Sequence, residues 1–216
     1  TKTADKQLFR RASIIANARN KIIAFEQCIH DIISKPDLSL EYTLIFCAPD
    51  EEQQYNQANS LLRELKRTIL KDIKYNLFDG SKGDKEREQR LADFSNGSRQ
   101  ILLSMKVLDE GIDIPAAKNG IILASSGNPR QFIQRRGRLL RTSKDKPFAH
   151  IFDFIVVPSY LSTASENTAN NEPGRREIEL SIFNKELRRI EEFSHLAINY
   201  DHAEEVISSI REEYEI

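Results

Sequence analysis

The segment QFIQRRGRLLR at positions 131–141 carries the residues with the clearest capacity for chemistry. On a helix, Gln134, Arg138 and Arg141 fall within about 60° of one another, so one polar stripe presents two guanidinium groups. Gly137 would permit close backbone approach. Arginines held in this way can stabilise charge that builds on a transferring phosphoryl group. The alternative for this segment alone is a solvated basic helix or an RNA-binding patch.

A second segment, VLDEGIDIP at positions 107–115, could contact a nucleotide sugar. Gly111 allows a tight backbone turn, and Pro115 limits helix continuation on its N-terminal side. Asp113 can accept hydrogen bonds from ribose hydroxyls and can also orient an arginine. Taken alone, the segment is better interpreted as a loop with ordinary acidic residues.

Alternating strands and helices must position these two segments. Short, continuously apolar runs separated by helical patterns indicate an α/β fold with a parallel sheet flanked by helices on both faces. Asp84 can cap one of the helices. In such sheets, ligands bind at the loops that follow the strand carboxyl ends. The predicted strands cover residues 43–48, 73–78, 101–103, 120–124 and 149–156, and the predicted helices cover residues 51–70, 84–94 and 130–141.

The pattern also predicts how the chain is divided into domains. We expect a helical lead-in at residues 1–36, the sheet domain at 37–157, a polar linker or loop at 158–176 and a helical extension at 177–216. The extension is acidic, whereas residues 128–146 are strongly basic. A basic seam with an acidic flank suits an anionic ligand at the seam.

Together, the two chemical segments resemble motifs V and VI of superfamily 2 helicases, in which a GxDxP loop precedes a QxxGRxxR helix. One strand separates those motifs, and the run at 120–124 occupies that place here. Residues 43–50 resemble motif IV, and residues 75–94 resemble the block after it. The similarity covers roughly residues 40–156 and implies a RecA-like fold, namely the second RecA-like half of a helicase motor.

The resemblance also implies roles for individual residues. Arg138 and Arg141 would be arginine fingers, Gln134 would face the nucleotide, and Gly111 and Asp113 would lie near the ribose. Amides and hydroxyls at strand ends could hold nucleic-acid phosphates without reading bases, although such groups are commonly just solvated. The candidate nucleic-acid contacts are Cys47, Ala48, Ser104, Lys106, Ser125 and Ser126.

Within the superfamily, the segment SMKVLDEGID at 104–113 is most similar to the XPB-like and restriction-enzyme motor groups. These groups have a Ser-Lys-Val type segment where RNA-specific DEAD-box proteins usually have Ala-Thr-Asp, and Met105 departs from that pattern. Gln134 agrees, because DEAD-box proteins carry histidine there. Double-stranded DNA is therefore favoured over RNA, with DNA repair and restriction as alternative pathways and a nuclease or repair protein as an expected partner.

Two motifs for ATP hydrolysis do not occur in the sequence. It has no GxxxxGK[ST] phosphate loop and no DEAD or DExH run for magnesium. By the resemblance, ATP with Mg²⁺ is bound mainly by an N-terminal RecA-like domain, and this chain alone is expected to be inactive within an ATP-dependent helicase. The alternative is a RecA-like nucleic-acid-binding or protein-interaction module without ATPase activity.

Composition excludes several other classes. No apolar run approaches the roughly 18 residues that span a bilayer, and the N-terminal residues lack a signal-peptide apolar region, so we expect a cytoplasmic protein without a membrane partner. Cys28 and Cys47 have no CxxC partner, which predicts buried small hydrophobes rather than a metal site or disulfide. Residues 47–50 lack the Gly-rich turn that a small-metabolite domain would have after its first strand.

Overall fold

The computed structural model describes residues 13, 15–18, 20–48, 52–79, 83–105, 117–123, 137, 146–157 and 175–214. The chain forms two compact units, Thr1–Phe154 and Ile155–Ile216. The helices are α1 (Lys21–Ser34), α2 (Glu52–Thr68), α3 (Asp84–Ser95), α4 (Arg175–Ser194) and α5 (Tyr200–Tyr214). The strands are β1 (Thr43–Cys47), β2 (Tyr75–Phe78), β3 (Ile101–Met105), β4 (Asn119–Ile122) and β5 (His150–Asp153).

The strands form one sheet in the order β2-β3-β1-β4-β5, and every neighbouring pair is parallel. The central strand β1 pairs on one side with β3, where Thr43 lies opposite Ile101, and on the other side with β4, where Thr43 lies opposite Asn119. All carboxyl ends consequently meet at one edge of the sheet, where parallel sheets bind ligands. The predicted parallel α/β, RecA-like fold class is confirmed.

Both faces of the sheet are buried along its central strands β1, β3 and β4, which explains the apolar runs in this part of the sequence. One face contributes Ile45, Leu103 and Ile121 to a core that also contains residues of α1 and α2. On the other face, Leu44 and Leu102 are 1% and 0% exposed. The ring of Phe94, in α3, is fully buried on that side and lies edge-on to Tyr42 at a centroid distance of 6.0 Å.

Helix α1 is an integral part of this core. Its apolar residues Phe25, Ile29 and Ile32 recur at helical spacing and are 0% exposed. The sequence pattern predicted a helix over 7–33, with a break allowed. Of the residues described before α1, 13, 15 and 16 are helical and 17, 18 and 20 are not, so a break precedes α1 at Lys21. The division of the chain at residues 36, 157 and 176 stays a prediction.

The prediction that Asp84 caps α3 is wrong. Gly83 occupies the capping position with an extended backbone, and Asp84 is the first helical residue. There its negative charge interacts favourably with the positive end of the helix dipole. The carboxylate also lies 3.4 Å from the Arg87 guanidinium. Gly97 follows the end of the helix and has a φ of 77°, which favours glycine. A Cβ added at Gly97 would also lie only 3.0 Å from the Tyr42 hydroxyl.

The second unit is a helical hairpin of α4 and α5, as the apolar spacing of the extension predicted. Phe183 and Leu187 of α4 pack with Ile207 of α5 in a separate small core. The guanidinium of Arg211 lies 2.5 Å from the carboxylate of Glu191 and joins the two helices at the surface. The hairpin therefore has its own apolar core.

Neither Cys28 nor Cys47, both of which are described, forms a disulfide, but only one matches the predicted burial. Cys47 is 1% exposed, whereas Cys28 is only half-buried. Burial, aided by the charge of Asp31, raises the pKa of the Cys28 thiol to about 11, so Cys28 is a weak nucleophile at neutral pH.

In the described part of the chain, no helix is long and apolar enough to cross a membrane.

Candidate nucleotide and nucleic-acid interface

Among the predicted site residues, the structure describes those at the carboxyl ends of β1 and β3. Phe46 pairs with Ser104 and Cys47 pairs with Met105, so these two strand ends lie side by side. The predictions that lie outside the described residues concern Lys106, Gly111, Asp113, Ser125, Ser126, Gln134, Arg138 and Arg141.

The residues predicted to contact nucleic acid at these two strand ends are buried within the protein. Cys47, Ala48 and Ser104 are 1%, 6% and 2% exposed. A nucleic-acid strand would therefore meet the backbone at these positions, or the residues that follow them, rather than their side chains. Their role as contacts stays a prediction.

Gly137 lies within the segment for which a catalytic helix was predicted, and its backbone is helical. No described atom comes within 4 Å of a Cβ built at Gly137. The close backbone approach expected at this glycine is thus absent from the described part of the chain.

A residue that sequence reasoning missed, Gln54, organises the carboxyl edge of the sheet. Its side-chain oxygen accepts a 2.8 Å hydrogen bond from the backbone N–H of Ala48, just after β1. Its side-chain nitrogen donates to the carbonyl of Ala16 and, at 3.4 Å, to the carbonyl of Leu123, just after β4. Because Gln54 is 1% exposed, this amide is a buried clamp between two strand ends and the segment before α1.

The sequence signal for Gln54 was its position in the apolar stripe of α2. Gln54 is followed at helical spacing by Ala58, Leu61 and Leu65, all of which face the core. A polar side chain at such an inward position needs hydrogen-bond partners inside the protein. The sequence could indicate that partners exist, but not which backbone groups they are.

The neighbouring residue Tyr55 secures a third strand end. Its hydroxyl donates a 3.1 Å hydrogen bond to the carboxylate of Asp79, which follows β2. Burial, the charge of Asp79 and this hydrogen bond all raise the pKa of Tyr55, so the hydroxyl keeps its proton and remains a donor. The first turn of α2 thereby contacts the ends of β1, β4 and β2, and the loops leaving this edge start from fixed positions.

Gln54→Glu tests the clamp. The carboxylate keeps the acceptor for Ala48 but turns an oxygen towards the carbonyls of Ala16 and Leu123. We expect the free energy of unfolding to fall by about 1–3 kcal/mol in urea denaturation at pH 7, because the buried carbonyls of Ala16 and Leu123 lose their donor and face a carboxylate oxygen instead. The exposed neighbour supplies the control, since Gln53→Glu makes the same chemical change and should alter stability by less than about 0.5 kcal/mol. Equal effects of the two substitutions would contradict the clamp.

Comparison with known proteins adds to this geometry. The sequence model of the helicase conserved C-terminal domain matches residues 20–143. A protein of Sulfurisphaera tokodaii named DNA 3'-5' translocase XPB2 is 46% identical over 61 residues, which are 28% of this chain and 14% of that protein. An Arabidopsis thaliana protein named ATP-dependent DNA helicase homolog RECG1 is 31% identical over 126 residues, covering 56% of this chain and 12% of that protein.

Among solved structures, the fragment of a putative HsdR subunit of a type I restriction enzyme from Vibrio vulnificus is similar over 68% of this chain and 28% of that chain. Its sequence identity is 23% and its TM-score is 0.49. The chain spans only a small share of the length of the curated relatives, 14% and 12% for the two named above. Since the family match at residues 20–143 covers more than half of the 216 residues, the chain belongs to the helicase conserved C-terminal domain family, as the motif resemblance predicted.

Proposed function

We propose that this chain is the second motor domain of an ATP-dependent superfamily 2 DNA helicase or translocase. The family match over residues 20–143 is the observation that carries the proposal. In the proposed protein, a neighbouring RecA-like domain binds most of the ATP, and this chain completes the site. Hydrolysis then requires both domains, and this chain alone does not turn over ATP.

The sheet topology supports a shared site for the two chemical segments. The segment at 107–115 follows the end of β3, and the segment at 131–141 follows the end of β4. These strands flank β1 at the same edge of the sheet, so their ends are about 10 Å apart, or two strand spacings. That separation is on the scale of one nucleotide, which lets residues from both segments contact the same ligand.

In the proposed mechanism, ATP lies between the two domains. Arg138 and Arg141 contact the terminal phosphates and stabilise the charge that builds as the γ-phosphoryl group is transferred to water. Gln134 faces the nucleotide, and Gly111 and Asp113 lie near the ribose. Loss of the γ-phosphate removes the anion that holds the arginines, so the domains separate and shift their grip on the nucleic acid.

The proposal assigns Mg²⁺ to the neighbouring domain. Within the described ranges, no group of three or more His, Cys, Asp or Glu residues could hold a metal ion. When bound with ATP, the metal would neutralise charge on the β- and γ-phosphates.

DNA is the nucleic acid along which the proposed motor moves, with duplex DNA favoured over single-stranded DNA and RNA. The resemblance of residues 104–113 to XPB-like and restriction-enzyme motors supports this choice, and so does the similarity to a relative named as a DNA translocase. The strand-end loops after β1, β3 and β4 would contact the phosphate backbone without reading bases, as a motor that moves along any sequence requires. Repair and restriction both fit such a motor.

An assay of the full-length parent protein tests the proposal. Steady-state ATP turnover is measured alone and with duplex DNA, single-stranded DNA or RNA, at fixed salt because phosphate contacts depend strongly on salt. We expect duplex DNA to stimulate turnover most, by at least about tenfold. Nucleic-acid binding without any ATP turnover would favour the non-catalytic binding module, and stimulation by RNA alone would contradict the choice of DNA.

A further inference from the structure

The edge strand β2 borders a groove of about 600 Å³ that no part of the proposed motor mechanism uses. Helix α2 forms one wall of this groove, and a side chain of α3 reaches in from the other. The groove-lining residues that matter here are Arg63, Lys66, Arg67, Tyr75, Leu77 and Arg90. Every charged side chain of the lining is a cation.

The cationic side chains of α2 lie on one face of the helix. Arg63, Lys66 and Arg67 follow the i, i+3, i+4 spacing of one helix face, and all of them are exposed. Within the described residues, none of the three forms an ion pair with a carboxylate. The helix therefore presents a patch of unneutralised positive charge to the groove.

Arg90 of α3 is held in place across the groove. Its guanidinium contacts the Glu86 carboxylate at 2.5 Å and also donates to the backbone carbonyl of Leu77. The same side chain thus adds a positive charge to the groove and covers one backbone acceptor of the strand edge.

The backbone of β2 offers further hydrogen-bonding groups. The carbonyl of Lys74 accepts bonds from the N–H groups of Gln100 and Ile101, on the β3 side. Since the backbone direction alternates along a strand, Tyr75 and Leu77 turn their N–H and C=O groups away from β3, towards the open edge. The side-chain nitrogen of Asn76, which also lines the groove, is buried and has no acceptor among the described residues.

We propose that this groove binds an acidic, extended peptide segment of a partner protein, which joins the sheet as an additional strand beside β2. The peptide backbone would pair with the outward N–H and C=O groups of Tyr75 and with the outward N–H of Leu77, whose carbonyl Arg90 already covers. Its carboxylates would reach Arg63, Lys66 and Arg67. A nucleic-acid strand fits this edge less well, because its phosphates supply only acceptors and would face the outward carbonyl of Tyr75. The proposal does not depend on the motor function.

Fluorescence anisotropy with the complete 216-residue chain tests the groove. The probe is a labelled short peptide of alternating Glu and Val, which is acidic on one side when extended. In the double variant Arg63→Gln, Arg67→Gln we expect Kd to rise about four- to ninefold, since each exposed ion pair is worth a factor of about two to three. The control Lys35→Gln, Arg188→Gln removes two exposed charges elsewhere and should change Kd by less than about twofold.

Two further probes separate strand pairing from simple charge attraction. The same peptide with N-methyl groups on alternate residues keeps its charge but cannot form the ladder, and should bind at least about fivefold more weakly. A labelled oligothymidylate should bind the double variant and the unmodified chain within about twofold of one another. The proposal is overturned if the peptide does not bind, if control and double variant lose affinity equally, if N-methylation has no effect, or if only the oligonucleotide loses affinity.

Discussion

Arg138→Ala or Arg141→Ala in the full-length parent protein should reduce ATP turnover by about a thousandfold or more, while nucleotide affinity changes little. The arginines act on charge that grows only as the phosphoryl group is transferred. Removing either one therefore raises the barrier without removing most of the contacts that hold ATP. The measurement is steady-state turnover with saturating DNA, paired with binding of a fluorescent ATP analogue.

The same segment provides a matched control. Arg136 lies two residues before Arg138, about 200° around the helix predicted from the sequence, so its side chain would point away from the proposed stripe. Arg136→Ala removes the same charge and the same side-chain volume, and it should lower turnover by no more than about threefold. If turnover survives in the Arg138 and Arg141 variants, neither residue is an arginine finger. If all three variants lose turnover alike, the effect comes from the basic segment as a whole.

The second large effect concerns stability. Ile29→Ala should lower the free energy of unfolding by about 2–5 kcal/mol, because a fully buried isoleucine is truncated inside a packed core. Ile29 is 0% exposed and packs with the sheet, whereas Ile23 on the same helix is 64% exposed. A domain of this size is stabilised by only about 5–15 kcal/mol in total, so the loss would be easily measured.

Ile23→Ala is the control for that measurement. It makes the same substitution in the same helix, so the change in helix propensity is shared, and it should alter stability by less than about 0.5 kcal/mol. Urea denaturation followed by far-UV circular dichroism gives both values. Similar losses in the two variants would mean that α1 does not pack on the sheet, and that the domain could be separated from residues 1–36.

The sheet could be predicted from sequence because its central strands β1, β3 and β4 are buried on both faces. The strands predicted at 43–48 and 101–103 lie on β1 and β3. The largest error in strand length concerns the last strand. There, the predicted strand continued to residue 156, whereas β5 ends at Asp153. The reason is physical, since Ile155 and Val157 are apolar for contacts with the helical hairpin rather than for strand pairing.

The polar features could not be predicted in the same way. The partners of Gln54 are backbone groups at residues 16, 48 and 123, which only the folded sheet brings together. The cations of α2 and Arg90 of α3 likewise meet only once β2 is placed at the sheet edge. For the catalytic segment the sequence alone supports the assignment of Arg138 and Arg141, and those roles stay predictions.

The central position of β1 also constrains how the chain acquires its structure. Thr43 is made well before its neighbours Ile101 and Asn119 emerge from the ribosome. Until then, Leu44 and Phe46 lack the neighbouring strands that bury them, so the nascent chain exposes an apolar segment while residues up to 119 are made. Native pairings across such long stretches of sequence slow the search for the fold, which makes this domain a natural client for chaperones.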